Sequence, residues 1–358
     1  MIEWIFVDDV PGDRASFVDA LEIPDVLRLT AISGLEAKSR LGAKEFAPAG
    51  VLMDVDLSNE QGMQGTGLGL AVDIRSAQYR GATPSFPIIR FSLREAVEQN
   101  VGHDASSDDS FDLVIEKDDI GTGSRVSVIQ GMMQGTSAIY AAVGANVDLA
   151  GATGLTAEQW EAWGDSTFVD ELRYADRAHL KAGCFARLIR DPGLLIDEAL
   201  LGTRLGVDVG SDKFQALRDF LEPIRYSGAG SSFFHRWWAR GLDAWWDTEI
   251  DSDVPLSAAT ITERLEGLKS KFGELSPLVM PENSPGNRPW RLCTLTMERS
   301  GSFLPVDPLW AVPFRLRNPS GDWADPTYAA LGVAAKDADN PRIDQAELGR
   351  QMKRYRKP

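Results

Sequence analysis

Five polar residues in the first third of the sequence lie at the ends of short apolar runs, and their types could do chemistry together. Asp8 and Asp9 follow the first run, and Asp54 follows the third. Ser92 ends the fourth run, and Lys117 ends the fifth. Clustered carboxylates repel one another, and a hard divalent cation with oxygen ligands relieves that repulsion. A carboxylate can also be a nucleophile and form an aspartyl-phosphate, whose added charge needs a metal ion, an ammonium and a hydroxyl beside it.

This chemistry predicts a role for each residue. Asp54 is the candidate nucleophile, and Asp8, Asp9 and Asp54 are the candidate metal ligands. Lys117 is the candidate counter-charge for a phosphoryl group, and Ser92 is the hydroxyl that would sense it. Mg²⁺ is the expected cofactor, because it is held by few protein carboxylates and keeps water positions that an incoming phosphoryl group can take.

Five apolar runs must position these side chains, and helix-like stretches separate them. Near-continuous apolar strands spaced for intervening helices indicate βαβ units in a parallel sheet that is covered on both faces. The carboxyl ends of such strands meet at one edge of the sheet, where ligands bind. The predicted strands are Ile2–Val7, Leu27–Ile32, Val51–Met53, Phe86–Phe91 and Phe111–Ile115.

An acid pair, a central Asp, a Ser and a Lys, each ending a strand in this order, resemble the receiver domain of response regulators in two-component phosphorelays. The resemblance covers roughly residues 1–120. It implies an α/β fold with a doubly wound, five-stranded parallel sheet of the flavodoxin-like type. It also implies Mg²⁺ and a histidine kinase or phosphotransfer protein as partner.

The sequence departs from the receiver pattern at several positions. Leu57-Ser58 stands where receivers commonly have Met-Pro, and Asp118 stands where Pro usually follows the Lys. The aromatic switch position, three residues before the Lys, is Val114. These departures leave open how phosphorylation would change the conformation.

The glycine-rich segment 65–71 has a second interpretation, because it is similar to a glycine box of the ATP-binding domain of histidine kinases. That domain also needs an Asn-bearing helix and an Asp-x-Gly-x-Gly segment upstream, and neither precedes residue 65. We therefore interpret the segment as a loop that enters a helix, with Gly62 and Gly65 supplying the turn.

The rest of the chain predicts a second domain of unrecognised type, over residues 124–358 after a receiver at 1–122, with a hinge at 121–123. It is expected to be mainly helical with a few β-strands. Its Trp-rich stretch 233–246 has a helical apolar pattern and predicts a core helix. No catalytic motif is visible there. The predicted helices are Ser124–Val143, Ala157–Trp163, Thr167–Ile189, Asp212–Ile224, Ser231–Thr248 and Ala258–Phe272.

Composition narrows the functional classes. The chain has 53 acidic and 37 basic residues, and 22 acidic against 10 basic lie up to Ser124, so DNA binding is not favoured, although it stays open. Two distant cysteines exclude a disulfide framework or a cysteine-rich zinc site. No signal segment or run of about 20 apolar residues is present, so we expect a soluble cytoplasmic protein with no membrane partner.

Three functional hypotheses stay open. The first is a response regulator that is phosphorylated on Asp54 and controls its own second domain through protein contacts. The second is a receiver that regulates an unrecognised enzyme in the C-terminal half. The third is a receiver-like scaffold that is never phosphorylated. A homodimer is a further hypothesis.

Overall fold

The computed structural model describes residues 1–58, 66–92, 110–117, 123–143, 149–316 and 321–356. No helix in these ranges is long and apolar enough to cross a membrane. The chain divides into two compact units. The first unit comprises Met1–Leu155, Asp170–Arg187 and Ser227–Phe234, and the second comprises Thr156–Val169, Leu188–Tyr226 and His235–Pro358. The predicted domain boundary at residue 122 is a statement about which part of the chain can fold by itself, and it stays a prediction.

The first unit is built on a parallel sheet of five described strands. The strands are β1 (Ile2–Val7), β2 (Leu27–Ile32), β3 (Gly50–Met53), β4 (Ile88–Ser92) and β5 (Leu113–Glu116). Their order is β2-β1-β3-β4-β5. The register aligns the ends of the central strands, because Val7 pairs with Ile32 on one side and with Met53 on the other. This is the order of the flavodoxin-like doubly wound fold, so the predicted fold class is confirmed.

Helices cover both faces of this sheet, because alternate strand residues point to opposite sides. Val51 and Met53 share one core with residues of α2 (Gly34–Gly42) and α3 (Gly67–Tyr79). Leu52 belongs to a second core with residues of α1 (Pro11–Leu21) and α4 (Gly123–Ala142). Both cores explain why the central strand β3 has no polar side chain and is buried throughout.

The remaining elements are mostly helical, as predicted, with short two-stranded pairings. The described helices are α5 (Leu149–Thr153), α6 (Ala157–Trp163), α7 (Ser166–Tyr174), α8 (Ala178–Arg190), α9 (Glu198–Leu205), α10 (Phe214–Phe220), α11 (Ala239–Glu249), α12 (Ile261–Phe272), α13 (Thr294–Ser300), α14 (Leu331–Lys336) and α15 (Gln345–Tyr355), with a 3₁₀ turn at Glu222–Ile224. The short strands are β6 (Leu195–Ile196), β7 (Trp237–Trp238), β8 (Arg291–Leu292), β9 (Pro305–Val306), β10 (Val312–Pro313) and β11 (Tyr328–Ala329).

The Trp-rich stretch is buried in the core, as expected, but it is not one helix. Trp237 and Trp238 form β7, which pairs antiparallel with β6, and α11 begins only at Ala239. Trp237, Trp238 and Trp246 are each at most 1% exposed. A helical apolar pattern and a buried strand followed by a helix look alike over so few residues, because both are apolar on most sides.

A buried polar network joins α3 and α4 to the amino ends of β4 and β5. Asp112 accepts hydrogen bonds from Arg75 Nη2 at 2.7 Å, from the backbone N–H of Ile88 at 2.8 Å and from the Tyr140 hydroxyl at 2.9 Å. Arg75 Nε donates to the carbonyl of Ser110 at 3.0 Å. Burial opposes the charge of Arg75, yet Tyr140 and Asp112 beside it raise its pKa. The network therefore fixes the sheet at the edge opposite the strand ends that carry Asp8 and Asp54.

We expect Asp112→Ala to destabilise the first unit far more than Tyr140→Phe. The first change leaves the buried Arg75 charge without its partner and should cost about 3–5 kcal/mol. The second removes two hydrogen bonds of a neutral hydroxyl, one to Asp112 and a longer one from Arg75 Nη1 at 3.3 Å, and should cost about 1–2 kcal/mol. Hydrogen exchange of the β4 and β5 amides in the two full-length variants measures both losses of stability. If the two variants lose protection equally, the central role of Asp112 in the network is contradicted.

Candidate functional site

Three of the predicted site residues follow strands whose carboxyl ends meet at one edge of the sheet. Asp8 follows β1, Asp54 follows β3 and Lys117 follows β5. The strands extend their hydrogen bonding to these positions, since Asp54 N donates to the carbonyl of Val7 at 2.9 Å. Sheet geometry therefore places the two carboxylates on neighbouring strands.

The Lys117 ammonium links the two carboxylates. Nζ donates to Asp8 Oδ2 at 2.5 Å and also to Asp54 Oδ2. Asp8 is fully buried, and Asp54 and Lys117 are 6% and 7% exposed. Because both oxygens bond one nitrogen, they are no more than about 5 Å apart. Two carboxylates this close would repel strongly without a cation between them.

The same contacts set the protonation state of Lys117. Burial, the largest influence, works to lower the pKa of its ammonium. The charge and hydrogen bond of Asp54, followed by those of Asp8, outweigh burial, and the pKa is raised above its ordinary value. Lys117 therefore remains positively charged at neutral pH.

An aromatic cluster surrounds the Lys117 ammonium. Nζ lies 5.9, 5.7 and 5.9 Å from the ring centroids of Phe6, Phe17 and Phe91. These rings pack edge to face with one another at centroid distances of 5.0 to 6.0 Å. Ring faces attract cations within about 6 Å. The cluster also excludes water from one side of Lys117, which strengthens its attraction to the carboxylates.

Backbone amides orient the other oxygen of each carboxylate. Asp8 Oδ1 accepts from the N–H of Val10 at 2.7 Å, and Asp54 Oδ1 accepts from the N–H of Asp56 at 3.2 Å. Each bond reaches two residues ahead, which is the geometry by which Asp shapes the turn that follows it. The loops after β1 and β3 are therefore shaped by the same carboxylates that form the site.

Gly67, at the start of α3, contacts the backbone of the candidate phosphoacceptor. A Cβ at position 67 would lie 1.7 Å from the carbonyl oxygen of Asp54, and Gly67 N donates to the carbonyl of Val55 at 2.9 Å. Thr66 caps the helix by accepting from Gly69 N at 3.3 Å. Sequence reasoning missed Gly67 and assigned the turn to Gly62 and Gly65, which lie outside the described residues. The available signal was the Thr-Gly pair at a helix start.

The other predicted site residues are only partly located. Asp9 follows Asp8 and is half-buried, and Ser92 is the last residue of β4, paired with Glu116 of β5. Val114 is 49% exposed on β5, and Leu57 is buried. Asp118 and the predicted hinge at 121 and 122 lie outside the described residues.

The donor set fits a magnesium ion. Within the described ranges, no three or more His, Cys, Asp or Glu side chains are grouped to hold a metal. Mg²⁺, however, is commonly bound through one or two carboxylates, with waters and phosphate oxygens completing its shell. Asp8 and Asp54 supply two such carboxylates, already held close together around a positive charge.

Comparison with solved structures gives several similar chains. NtrX from Brucella abortus is 24% identical over 38% of this chain and 28% of its own length, with a TM-score of 0.29. The N-terminal receiver domain of a two-component response regulator from Bacteroides fragilis is 16% identical over 37% of this chain and 96% of its own, with a TM-score of 0.27. A LuxR-family two-component response regulator from Aurantimonas is 17% identical over 37% of this chain and 85% of its own, with a TM-score of 0.26. No family model and no curated protein matches the chain.

The N-terminal sheet is receiver-like. Its strand order, rather than these TM-scores, carries the likeness in fold. The resemblance predicted from the sequence, a receiver-like part with a further part fused to it, is therefore confirmed.

Gly67→Ala should disrupt the site, whereas Gly69→Ala should not. The new methyl group at position 67 would overlap the Asp54 carbonyl and force α3 away from β3. A Cβ at position 69 meets no described atom within 4 Å, and Ala is favoured over Gly in a helix. Thermal unfolding of both variants tests this, and a stable, site-competent Gly67→Ala would show that the close approach is not required.

Lys117 should stabilise the first unit in a pH-dependent way. Its pKa is raised on folding, so the stabilisation is fully present below the unfolded value of about 10.4 and is lost as pH rises through the raised value. At neutral pH, Lys117→Met leaves two buried carboxylates facing each other and should cost about 3–5 kcal/mol. Urea unfolding of the native chain and of Lys117→Met, from neutral to alkaline pH, measures the difference in their free energy of unfolding. This difference should shrink at alkaline pH, and a difference that stays constant would contradict the ion pairing.

Proposed function

We propose that this chain is a phosphoacceptor of a two-component system, in which Asp54 receives a phosphoryl group from a histidine kinase or phosphotransfer protein. The observation that carries the proposal is the pairing of Lys117 with both Asp8 and Asp54 at the carboxyl edge of a receiver-like sheet. A buried carboxylate beside a fixed ammonium has both a nucleophilic oxygen and a charge ready to stabilise the product.

Asp8 and Asp54, with Asp9 next to them, would hold Mg²⁺. When bound, the ion neutralises charge on the transferring phosphoryl group and on the carboxylates. Only part of this ligand set lies deep in the fold, because Asp8 is fully buried whereas Asp9 is half-buried. Buried Asp8 would hold a fixed position, and the more exposed Asp9 would complete the ligand set.

The transfer itself uses groups of this chain. An oxygen of the Asp54 carboxylate attacks the phosphorus, a P–O bond forms, and the bond between phosphorus and the donor nitrogen of the phosphohistidine breaks. The electron pair of the broken bond stays on the imidazole. Lys117 then moves its hydrogen bond from the Asp54 carboxylate to a phosphoryl oxygen, and Ser92 would donate its hydroxyl to another.

The consequence of phosphorylation would reach the rest of the chain through α3 and the aromatic cluster of Phe6, Phe17 and Phe91. The site backbone touches α3 directly at Gly67, and Lys117 lies against the cluster. Val114, in the position of the usual aromatic switch, is exposed and has no ring. We propose that the output is regulated through protein contacts of the second domain predicted at residues 124–358.

Asp54→Asn should abolish phosphorylation. The full chain incubated with Mg²⁺ and a small phosphodonor, such as acetyl phosphate, should gain one phosphoryl group by intact mass. Asp54→Asn removes the nucleophile and should gain none. Asp56→Asn is the matched control, because Asp56 is two residues away and its carboxylate accepts only from Ser58 N at 3.1 Å among the hydrogen bonds described for it.

Two outcomes would contradict the proposal. One is a folded native protein that gains no adduct from a phosphodonor or from a histidine kinase, which would favour a receiver-like scaffold. The other is an adduct that persists in Asp54→Asn and is lost in Asp56→Asn, which would move the acceptor to a different carboxylate.

A further inference from the structure

The second unit contains a cavity that none of the receiver chemistry uses. Its volume is about 310 Å³, at the low end of the range of small-molecule sites. Its walls come from the first turn of α11, from the segment 322–325, and from Arg204 of α9 and Arg291 of β8. The lining is dominated by charged side chains of both signs, which is unusual for a packing defect, since such defects are normally apolar.

Two arginines in the wall share one carboxylate. Arg204 Nη2 donates to Asp325 Oδ2 at 2.6 Å, and Arg291 Nη2 lies 3.0 Å from Asp325 Oδ1. The Arg204 residue is only 3% exposed. Burial, the largest influence, lowers the pKa of Arg204 to about 10 despite Asp325. One carboxylate cannot neutralise two guanidinium groups, so the group formed by Arg204, Arg291 and Asp325 keeps an excess positive charge.

Asp243 of α11, which also lines the cavity, is the carboxylate that would balance that charge. The charges of Arg204 and Arg291 act on it, yet no hydrogen bond or ion pair joins it to any side chain that the structure describes. Burial raises the pKa of its carboxyl, and the charge of Arg204 opposes that rise. Opposite charges thus line one cavity without contacting each other, and unmatched charges in partly buried positions are costly.

Other ligand classes fit the walls less well. Trp290 is not open for stacking by a base, because Arg204 and Arg264 lie over its ring at 4.8 and 5.5 Å. Arg240 is engaged by Asp165 at 3.1 Å. Asp243, Asp322 and Asp325 also line the cavity and would repel a multiply charged phosphate.

We propose that this cavity binds a small zwitterion, a free α-amino acid, with its carboxylate toward Arg204 and Arg291 and its ammonium toward Asp243. Such a ligand supplies the second anion that the arginine pair lacks and the cation that Asp243 lacks. Arginine donors bind carboxylates by charge-assisted hydrogen bonds, the strong class in proteins. The inference is independent of phosphorylation, and it assigns the second unit a ligand-binding function.

A thermal-shift screen of the full chain tests the proposal. The probes are the common L-amino acids, each at millimolar concentration, with inorganic phosphate as a separate arm. A ligand that binds only the folded protein raises the melting temperature with its concentration. For each amino acid that raises it, the N-acetyl derivative lacks the ammonium and the carboxamide lacks the carboxylate, and both should lose the shift. The glycyl dipeptide of the same amino acid, whose ammonium and carboxylate are separated by a peptide bond, should give no shift.

Asp243→Asn should abolish the shift, and Asp247→Asn should retain it. Asp247 is exposed one turn later on the same helix and does not line the cavity. Arg291→Gln, which removes one charge of the arginine pair, should weaken binding at least tenfold by titration calorimetry. The proposal is overturned if no amino acid binds, if Asp243→Asn binds as well as the native chain, or if phosphate binds in place of an amino acid.

Discussion

The receiver-like unit depends on one interaction, the pairing of the Lys117 ammonium with the buried carboxylates of Asp8 and Asp54. Each charge would be costly alone in this environment, and the two carboxylates would repel each other at their separation. The ion pairs therefore hold the ends of β1, β3 and β5 together. They also set the chemistry, because a phosphoryl group on Asp54 would compete directly for the same ammonium.

The rest of the first unit keeps these charges in register. At the opposite edge of the sheet, Arg75, Asp112 and Tyr140 connect α3 and α4 to the amino ends of β4 and β5. At the site edge, Gly67 lets α3 approach the backbone of Asp54. Helix α3 thus contacts both ends of the sheet. Its backbone contacts the site edge at Gly67, and its Arg75 side chain contacts the edge with the amino ends of β4 and β5. A change at Asp54 would therefore reach this helix even though Val114 has no ring.

In the second unit, too, partly buried charges need partners of opposite sign, but not all of them are in contact with one. There, Asp325 pairs with two arginines, while Asp243 has electrostatic neighbours and no direct partner among the described residues. In the first unit each member of the central trio is in contact with an opposite charge. In the second, matching is incomplete around a cavity, and incomplete matching is what a polar ligand can complete.

The sequence by itself determined the class of sheet, the strand ends and the residue types at them. Apolar runs at βαβ spacing specify a covered parallel sheet, and polar residues at their carboxyl ends must then meet at one edge. It did not determine the contact of Gly67 with Asp54, the aromatic cluster around Lys117, or the division of the Trp-rich stretch into β7 and α11. The cavity walls also join α9, α11 and β8, which are far apart along the chain. Only tertiary structure decided these features, because they depend on which distant segments pack together, and local patterns do not encode that choice.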